Sequence, residues 1–453
     1  MRIFNRPVSA KSVAIFGIDA VVISSVILAT VPLSSGHAAS GLWAIALMAV
    51  LCELCFYYND LYDLTVVHST RELVIRVLQA SGAAAIVLAV AHVTAPSLSL
   101  DASSAIFALA LIVATVVVWR TVFAAFAPYS RLERLLILGT GPTAQMLARR
   151  IVTQMDFAYR LVGFVDDGAS RRCVRAHDIV GSVDDIERIV LDWRIDRIVV
   201  GISDRRGHLP FTALLHAKLS GVCVEDATTT YERLTGKILI DDLKPSWLIF
   251  SDGFRVTRPT RAIKRLLDLA MALAIGIVTA PLMLLTAIAI ALDSRGPVLY
   301  SQERVGEHGR VFTLHKFRSM RVDAEQAGRP IWAKDHDDRI TRVGRFIRKA
   351  RLDELPQLWN VIRGDMAFVG PRPERPFFVE QLAAEIPFYM ERHVVKPGIT
   401  GWAQVKYHYG SSIEDAMEKL RYDLYYIKHL SVVFDLTIAV DTVKVILFGR
   451  GAK

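Results

Sequence analysis

The chain has 453 residues, 53% of them hydrophobic and 22% charged, with a mean hydropathy of +0.35. It is too apolar for a purely soluble enzyme, and its length suits two to four structural units. The formal net charge of +9 calls for an anionic partner (membrane lipid, nucleic acid or phosphorylated substrate), and four scattered cysteines give no disulfide framework.

Four apolar runs occupy residues 12–33, 41–59, 77–95 and 104–127, each near the ~20 residues that span a bilayer. The first is long and lacks a cleavage pattern, so it reads as an anchor. Arg2, Arg6 and Lys11 precede the first run, Arg71 and Arg76 separate the second from the third, and Arg120, Arg131 and Arg134 lie at or beyond the end of the fourth. The links "SSGHAAS" and "HVTAPSLSLD" carry neither Lys nor Arg. This alternation predicts a four-helix transmembrane region, residues 1–130, with both ends in the cytoplasm. Glu53 lies inside the second run and reads as structural. Cys52 and Cys55 belong to that helix, since no second ligand pair follows.

Residues 131–255 read as a Rossmann-like domain. The strand "LLILG" enters a turn in which Gly139, Gly141 and Ala144 give GxGxxA spacing, and a helical pattern follows. Such a turn lets a backbone approach a phosphate at a helix N-terminus, but a spacer domain of the same shape is an equal reading. The turn is not followed by a Tyr-x-x-x-Lys pair, which argues against a dehydrogenase or dehydratase site.

A fifth uncharged run, Leu269–Leu292, is flanked by Arg255, Arg258, Arg261, Lys264 and Arg265 before it and by Arg295, Arg304, Arg310, Lys316 and Arg318 after it. A crossing helix would leave one cationic cluster on the wrong side. Pro281 sits near mid-run, where it removes an i→i−4 bond. The expectation is therefore a helix–break–helix over 264–293 that enters and leaves by the same face.

The stretch "RKARLDELPQLWNVIRGDMAFVGPRP" sets Asp353 and Glu354 among Arg348, Lys349, Arg351, Arg363 and Arg372. Leu352, Leu355, Leu358 and Ile362 recur at helical spacing, so "LDELPQLWNVI" reads as one short amphipathic helix. Neighbouring positions on a helix diverge by ~100°, so one carboxylate can face an electrophile and the other a cation. Nearby arginines should keep both ionised. Ionised carboxylates among Arg and Lys suit phosphoryl chemistry, with a carboxylate as nucleophile and Mg²⁺ on a diphosphate. A surface salt-bridge network, or a basic patch on anionic lipid, is the alternative.

Residues 259–453 resemble the bacterial sugar transferase family, the monotopic phosphoglycosyl transferases. The matching segments are "KRLLDLAMALAIGIVTAPLMLL", "GPVLYSQERVG", "FTLHKFRSM", "RITRVGRFIRKARLDELPQLWNVIRGDMAFVGPRP" and "VKPGITGWAQV". The four spans and Rossmann-like domain are those of its large members, especially undecaprenyl-phosphate glucose phosphotransferases.

The resemblance implies that Asp353 attacks the sugar-bearing phosphorus of a UDP-sugar, releasing UMP, and that undecaprenyl phosphate then takes the phosphosugar. It makes Glu354 the Mg²⁺ ligand and places Lys316, Arg318, Arg351 and Arg372 around phosphates. The family's Ser-Pro at the re-entrant break is here Ala280-Pro281. The expected protein is a multi-pass enzyme of the bacterial inner membrane, acting on its cytoplasmic face in exopolysaccharide or capsule synthesis. Its partners are UDP-sugar, undecaprenyl phosphate and membrane lipids; nucleic acid is not among them, and self-association is left open. The rivals are a membrane-bound nucleotide-sugar dehydratase or epimerase, which needs NAD(P) and a Tyr-Lys pair, and a non-enzymatic scaffold of polysaccharide export.

Overall fold

A computed structural model describes residues 10–30, 38–59, 61–62, 70–94, 102–126, 133–153, 159–166, 168, 173–175, 178–202, 209–240, 251, 253–254, 256–322, 339–407, 410 and 412–447. The chain divides into two compact units, Met1–Thr230 and Tyr231–Lys453.

The first unit begins with four helices, α1 (Ala10–Thr30), α2 (Ala38–Tyr58), α3 (Thr70–Thr94) and α4 (Ala102–Phe126). Each packs on its neighbours in sequence, and α1 also meets α4. Ile23, Ile27, Met48, Phe56, Val77, Ile112 and Val116 fill the seam. Among the described residues, Thr70–Ala89 and Ser103–Phe123 in this unit and Arg258–Asp293 in the second are long and apolar enough to cross a membrane. Helices α1 and α2 contribute the shorter apolar stretches Ala14–Thr30 and Ile45–Tyr58.

Of the flanking cations, Arg2, Arg6, Arg131 and Arg255 lie outside the described residues, and the side chain of Lys11 does too. Arg120 is not a free interfacial charge. It is buried, paired with Asp19 and donating to the Leu61 carbonyl at 2.8 Å, because a lone cation inside a bundle would be costly. The Trp119 indole donates to the same Asp19 at 2.9 Å. Glu53 accepts from the Tyr62 hydroxyl at 2.6 Å.

Residues 133–226 form a five-stranded parallel sheet in the order β3-β2-β1-β4-β5, from β1 (Glu133–Leu138), β2 (Tyr159–Asp166), β3 (Ile179–Ser182), β4 (Arg197–Val200) and β5 (Cys223–Asp226). Helices α5 (Pro142–Thr153), α6 (Ile186–Asp192) and α7 (Phe211–Leu219) connect the strands. Gly139 turns the chain out of β1 at φ +110°, and its N–H reaches the Val165 carbonyl at 2.9 Å. A side chain there would strike the Gly201 backbone. Gly141 opens α5, and Ala144 is fully buried against Gly201. The Thr140 carbonyl accepts the Cys173 N–H at 2.8 Å.

The unit boundary falls inside α8 (Ala227–Thr235). Tyr231–Ile240 therefore belong to the second unit, although the sequence reading assigns them to the Rossmann-like domain. Ile238 and Ile240 are buried with Trp402, Tyr425 and Phe434. The Trp402 indole donates to the Gly236 carbonyl at 2.8 Å, and Glu232 pairs with Lys428 at 2.7 Å.

In the second unit α9 runs from Arg258 to Asp293 without a non-helical residue, Pro281 included. The expected helix–break–helix is thus one continuous helix. Pro281 deprives only the Ile277 carbonyl of its donor, and Thr279 Oγ1 bonds the Ile275 carbonyl at 2.7 Å on the preceding turn. A proline inside a helix bends it when the remaining ladder holds.

Both ends of α9 are fastened to the same unit. Near the start, Lys264 Nζ donates to the Val369 carbonyl at 3.0 Å and to Asp435 at 2.6 Å, and Asp268 accepts the Phe368 N–H at 3.0 Å. At the far end, Asp293 accepts the Val343 N–H at 3.2 Å.

The rest of the unit comprises the antiparallel hairpin β6 (Leu299–Val305) and β7 (Val311–Phe317), then α10 (Arg342–Lys349), a 3₁₀ turn (Leu352–Glu354), α11 (Gln357–Arg363), β8 (Ala367–Val369), α12 (Pro376–Glu385), a longer 3₁₀ turn (Tyr389–Val394), β9 (Gly398–Thr400), α13 (Trp402–Lys406), α14 (Ile413–Lys428) and α15 (Val432–Leu447). β8 and β9 pair in parallel. Gly370 and Gly398 lie so close that a side chain on either would strike the other's backbone. This explains the glycines of "VGPRP" and "KPGIT".

Candidate active site

The two carboxylates are carried by a 3₁₀ turn rather than by the single helix expected over 352–362. Arg351 enters it in the left-handed region at φ +58°, and Pro356 follows as the N-cap of α11. Pro356 has no N–H to continue a helix from the turn behind it. Three residues per turn in a 3₁₀ helix separate neighbouring side chains by about 120°, and the pair diverges. Glu354 is buried. Its Oε1 accepts from Arg372 at 2.8 Å and from Lys316 at 3.3 Å, with Arg351 at 4.0 Å. Asp353 is half-buried and, among the described residues, its carboxylate has no hydrogen-bond or ion-pair partner.

The surrounding framework sets these distances. Asn360, buried on α11, receives the His315 N–H at 3.1 Å and donates to the Thr313 carbonyl at 2.7 Å. It therefore locks α11 to β7 and positions Lys316. The Arg265 guanidinium caps α11, donating to the Val361 and Ile362 carbonyls at 2.6 and 2.8 Å. Gly364 ends that helix at φ +98°. The Arg372 carbonyl accepts from Arg392 at 3.0 Å. Arg392 is itself buried against Asp423 at 2.7 Å and the Tyr389 hydroxyl at 2.8 Å. Arg304, also packed into the site, donates to Gln302 at 2.6 Å and to the Pro373 carbonyl at 3.1 Å.

Arg318 does not join this group. Its guanidinium donates to the Ser294 carbonyl at 2.6 Å, to Ser294 Oγ at 2.9 Å and to the Arg295 carbonyl at 3.2 Å. It is buried and satisfies the open end of α9, so the expected phosphate contact is replaced by a structural one. Lys316, two positions earlier on the chain, faces the carboxylates. Asn360, Arg304, Arg392 and Asp423 were not singled out from the sequence; their partners lie 31 to 47 residues away for Asn360–Thr313, Asn360–His315 and Arg392–Asp423, and no local pattern marks them.

The electrostatics separate the two carboxyls. Burial raises Glu354, but Arg372, Lys316 and Arg351 outweigh it and hold the group well below the usual carboxylate range. Burial and then the Glu354 charge raise Asp353, against Lys316, Arg348 and Arg372. Burial lowers Lys316, opposed by Glu354. The neighbouring arginines thus act on both carboxyls, but their effect prevails only at Glu354. The fixed cations outnumber the two carboxylates, which leaves room for a phosphate dianion or diphosphate.

Among the described residues no group of three or more His, Cys, Asp and Glu could cage a metal. The site does fit Mg²⁺ held by one carboxylate and substrate oxygens. The Lys316 and Arg372 bonds to Glu354 use only Oε1.

Residues 259–449 match the bacterial sugar transferase family. The chain is 48% identical over 223 residues to a UDP-N-acetylgalactosamine-undecaprenyl-phosphate N-acetylgalactosaminephosphotransferase of Aeromonas hydrophila, covering 49% of this chain and 52% of that protein. It is 34% identical over 334 residues to an undecaprenyl-phosphate glucose phosphotransferase of Komagataeibacter xylinus, covering 71% and 60%. It is 43% identical over 188 residues to a UDP-glucose:undecaprenyl-phosphate glucose-1-phosphate transferase of Caulobacter vibrioides, covering 41% and 69%. The chain thus spans little more than half the length of the first two relatives. It belongs to the bacterial sugar transferase family.

Proposed function

We propose that the protein transfers a hexose-1-phosphate from a UDP-sugar to undecaprenyl phosphate. The observation that carries this reading is the asymmetry of the dyad, with Glu354 tied to Lys316 and Arg372 and the neighbouring Asp353 carboxylate without a partner among the described residues. Asp353 attacks the sugar-bearing phosphorus, and the bond from that phosphorus to the bridging oxygen breaks. UMP leaves with the electron pair, and an aspartyl phosphosugar remains. An oxygen of the lipid phosphate then attacks the same phosphorus, the Asp353–phosphorus bond breaks, and the carboxylate is regenerated. Lys316, Arg351 and Arg372 hold the phosphate oxygens and balance charge that builds on them. Glu354 would hold Mg²⁺, which when bound neutralises part of the diphosphate charge.

Relatives' names cover glucose, galactose and N-acetylgalactosamine donors. The group transferred is glucose-1-phosphate, in the first step of exopolysaccharide or capsule repeat-unit assembly.

We also propose that α1–α4 span the inner membrane and that both ends of α9 lie on its cytoplasmic face. From Asp268 to Asp293 a straight helix would measure about 37 Å, longer than the ~30 Å hydrocarbon core. A crossing helix would put these residues on opposite sides, yet both bond to backbone of one compact unit. That supports re-entry with a bend at Pro281 in place of a break.

The test is UMP release from a panel of UDP-sugars, with and without undecaprenyl phosphate. One equivalent of UMP per enzyme is expected without acceptor, and sustained turnover with it. Asp353→Asn should abolish both. A phosphosugar adduct trapped on Asp353→Asn would remove the nucleophile assignment.

A further inference from the structure

The segment Tyr231–Ile240 belongs to the second unit, yet the dyad and its phosphate-binding cations use none of it. It is fastened to α14 at several points. Glu232, 4% exposed, pairs with Lys428 at 2.7 Å and lies 2.6 Å from His429 Nε2. Lys237 pairs with Glu418, and its ammonium lies 5.9 and 5.7 Å from the ring centres of Tyr231 and Tyr422. The Ile238 N–H donates to the Arg421 carbonyl at 3.0 Å. Between these points Gly236 turns the chain at φ +67°, where a Cβ would meet the Trp402 ring at 3.2 Å.

Glu418, Tyr422, Lys428 and the C-cap His429 share one side of α14. At ~100° per residue, Asp423 and Tyr426 point about a third of a turn away. That second side serves the dyad. Asp423 holds Arg392, Arg392 donates to the Arg372 carbonyl at 3.0 Å, and Arg372 donates to Glu354 at 2.8 Å. The Tyr426 hydroxyl lies 3.0 Å from the Val369 carbonyl, three residues before Arg372. One helix thus bears Tyr231–Ile240 on one side and brackets Val369–Arg372 with the other. Close-packed interiors transmit a shift of such a helix rather than absorb it.

We infer that Tyr231–Ile240 is a strap that seats α14, and that Glu232 and Lys237 are positioning residues which thereby set Arg372 against Glu354. Both act through α14 and not on the phosphates. Their partners Lys428 and Glu418 are about 15 Å apart along the helix at 1.5 Å per residue, so the two pairs fix its tilt as well as its register. Sliding α14 by one residue would leave buried charges unpaired, which is costly. The kinetic consequence rests on the proposed transfer reaction; the seating itself does not.

The test uses the full chain in detergent. Glu232→Gln and Lys237→Met are made alone and together with Asp423→Asn. Ile438→Val, in the same buried core, controls for lost stability. The rate constant of the UMP burst is read without acceptor, with the UDP-sugar giving the largest burst at saturation, at a temperature where every form is folded. Each strap variant should slow the burst by at least about fivefold. In the Asp423→Asn background the same change should alter it by less than about twofold, because the path to Arg372 is already cut. Ile438→Val should keep the unaltered rate. Unchanged rates in both strap variants, slowing that multiplies with that of Asp423→Asn, or equal slowing in Ile438→Val would overturn the inference.

Amide hydrogen exchange gives a reading independent of activity. The Ala367 and Gly370 N–H groups donate to the Pro397 and Thr400 carbonyls at 2.8 and 2.9 Å. Exchange at both should quicken more in the strap variants than in Ile438→Val, because the bracket on this segment is loosened locally. Exchange that is unchanged, or quickened equally in the control, would overturn the inference. Absence of a burst in the unaltered protein would count against the transfer reaction, and exchange would then decide whether the strap holds Val369–Arg372.

Discussion

Replacing Asp423 by Ala removes one half of a pair that is almost wholly buried, with Arg392 5% and Asp423 2% exposed. The Arg392 guanidinium loses bonds of 3.1 and 2.7 Å and keeps the Tyr389 hydroxyl and the Arg372 carbonyl. Breaking a buried pair from one side costs about 3–5 kcal/mol, because a charge is left without its counter-ion. At roughly 2–4 °C per kcal/mol for a unit of this size, the thermal midpoint should fall by about 6–20 °C. The loss should reach the active site, since the same guanidinium holds the Arg372 carbonyl and Arg372 holds Glu354. A guanidinium freed from Asp423 holds the Arg372 carbonyl less firmly, and since a charge-assisted hydrogen bond contributes about 1.5–3 kcal/mol, UMP release should slow by up to roughly a hundredfold. The assay is thermal unfolding of the detergent-purified protein together with UMP release at a temperature where both forms are folded. The double variant Arg392→Met with Asp423→Leu should recover most of the stability but not the activity, as the Arg372 carbonyl then loses its donor. A midpoint shift below about 2 °C for Asp423→Ala, or a double variant no more stable than the single, would refute the reasoning.

Other expectations follow from the same geometry. Arg318→Gln should cost about 2 kcal/mol of stability through its lost bonds to Ser294 and Arg295, with KM for the UDP-sugar unchanged; a large rise in KM at constant stability would return Arg318 to the phosphate site. A chain beginning at Ala227 should stay folded, whereas one beginning at Pro259 should be less stable. The shorter chain loses buried Ile238 and Ile240, about 1.5–3 kcal/mol each, and the Gly236 acceptor of Trp402; equal unfolding midpoints would contradict this. His393 is pushed down to about 4 by burial and then by the Arg392 charge, from an ordinary 6.5. The unfolded chain therefore binds the extra proton first. The contribution is complete above about pH 6.5 and is lost as pH falls towards 4, amounting to about 3 kcal/mol. His393→Phe should flatten stability across that window, and an unaltered pH profile would show that His393 does not carry it.

The sequence by itself determined the parts that rest on local chemistry. Apolar runs of spanning length and the placement of Lys and Arg are legible one residue at a time, as is the strand–glycine–helix entry to the parallel sheet. The Asp353–Glu354 dyad was legible for the same reason, since its charges and its leucines are neighbours in the chain. The residues that aim the dyad were not. Lys316 and Arg318 are near-equivalent in sequence, and only the paths of β7 and α9 send one to Glu354 and the other to the end of a helix. Arg351 in the left-handed region and Pro356 turn an expected helix into a 3₁₀ turn. Ile238 and Ile240 joined the second core because Trp402, Tyr425 and Phe434 await them from far along the chain. Pro281 bears the same lesson: its missing donor is certain from the sequence, but whether the helix breaks depends on how far the other hydrogen bonds and the fastenings at Lys264, Asp268 and Asp293 keep it intact. Local propensity fixes what each segment can do. Burial and long-range pairing decide which option is taken, because a desolvated charge or an orphaned carbonyl costs more than a turn's preference.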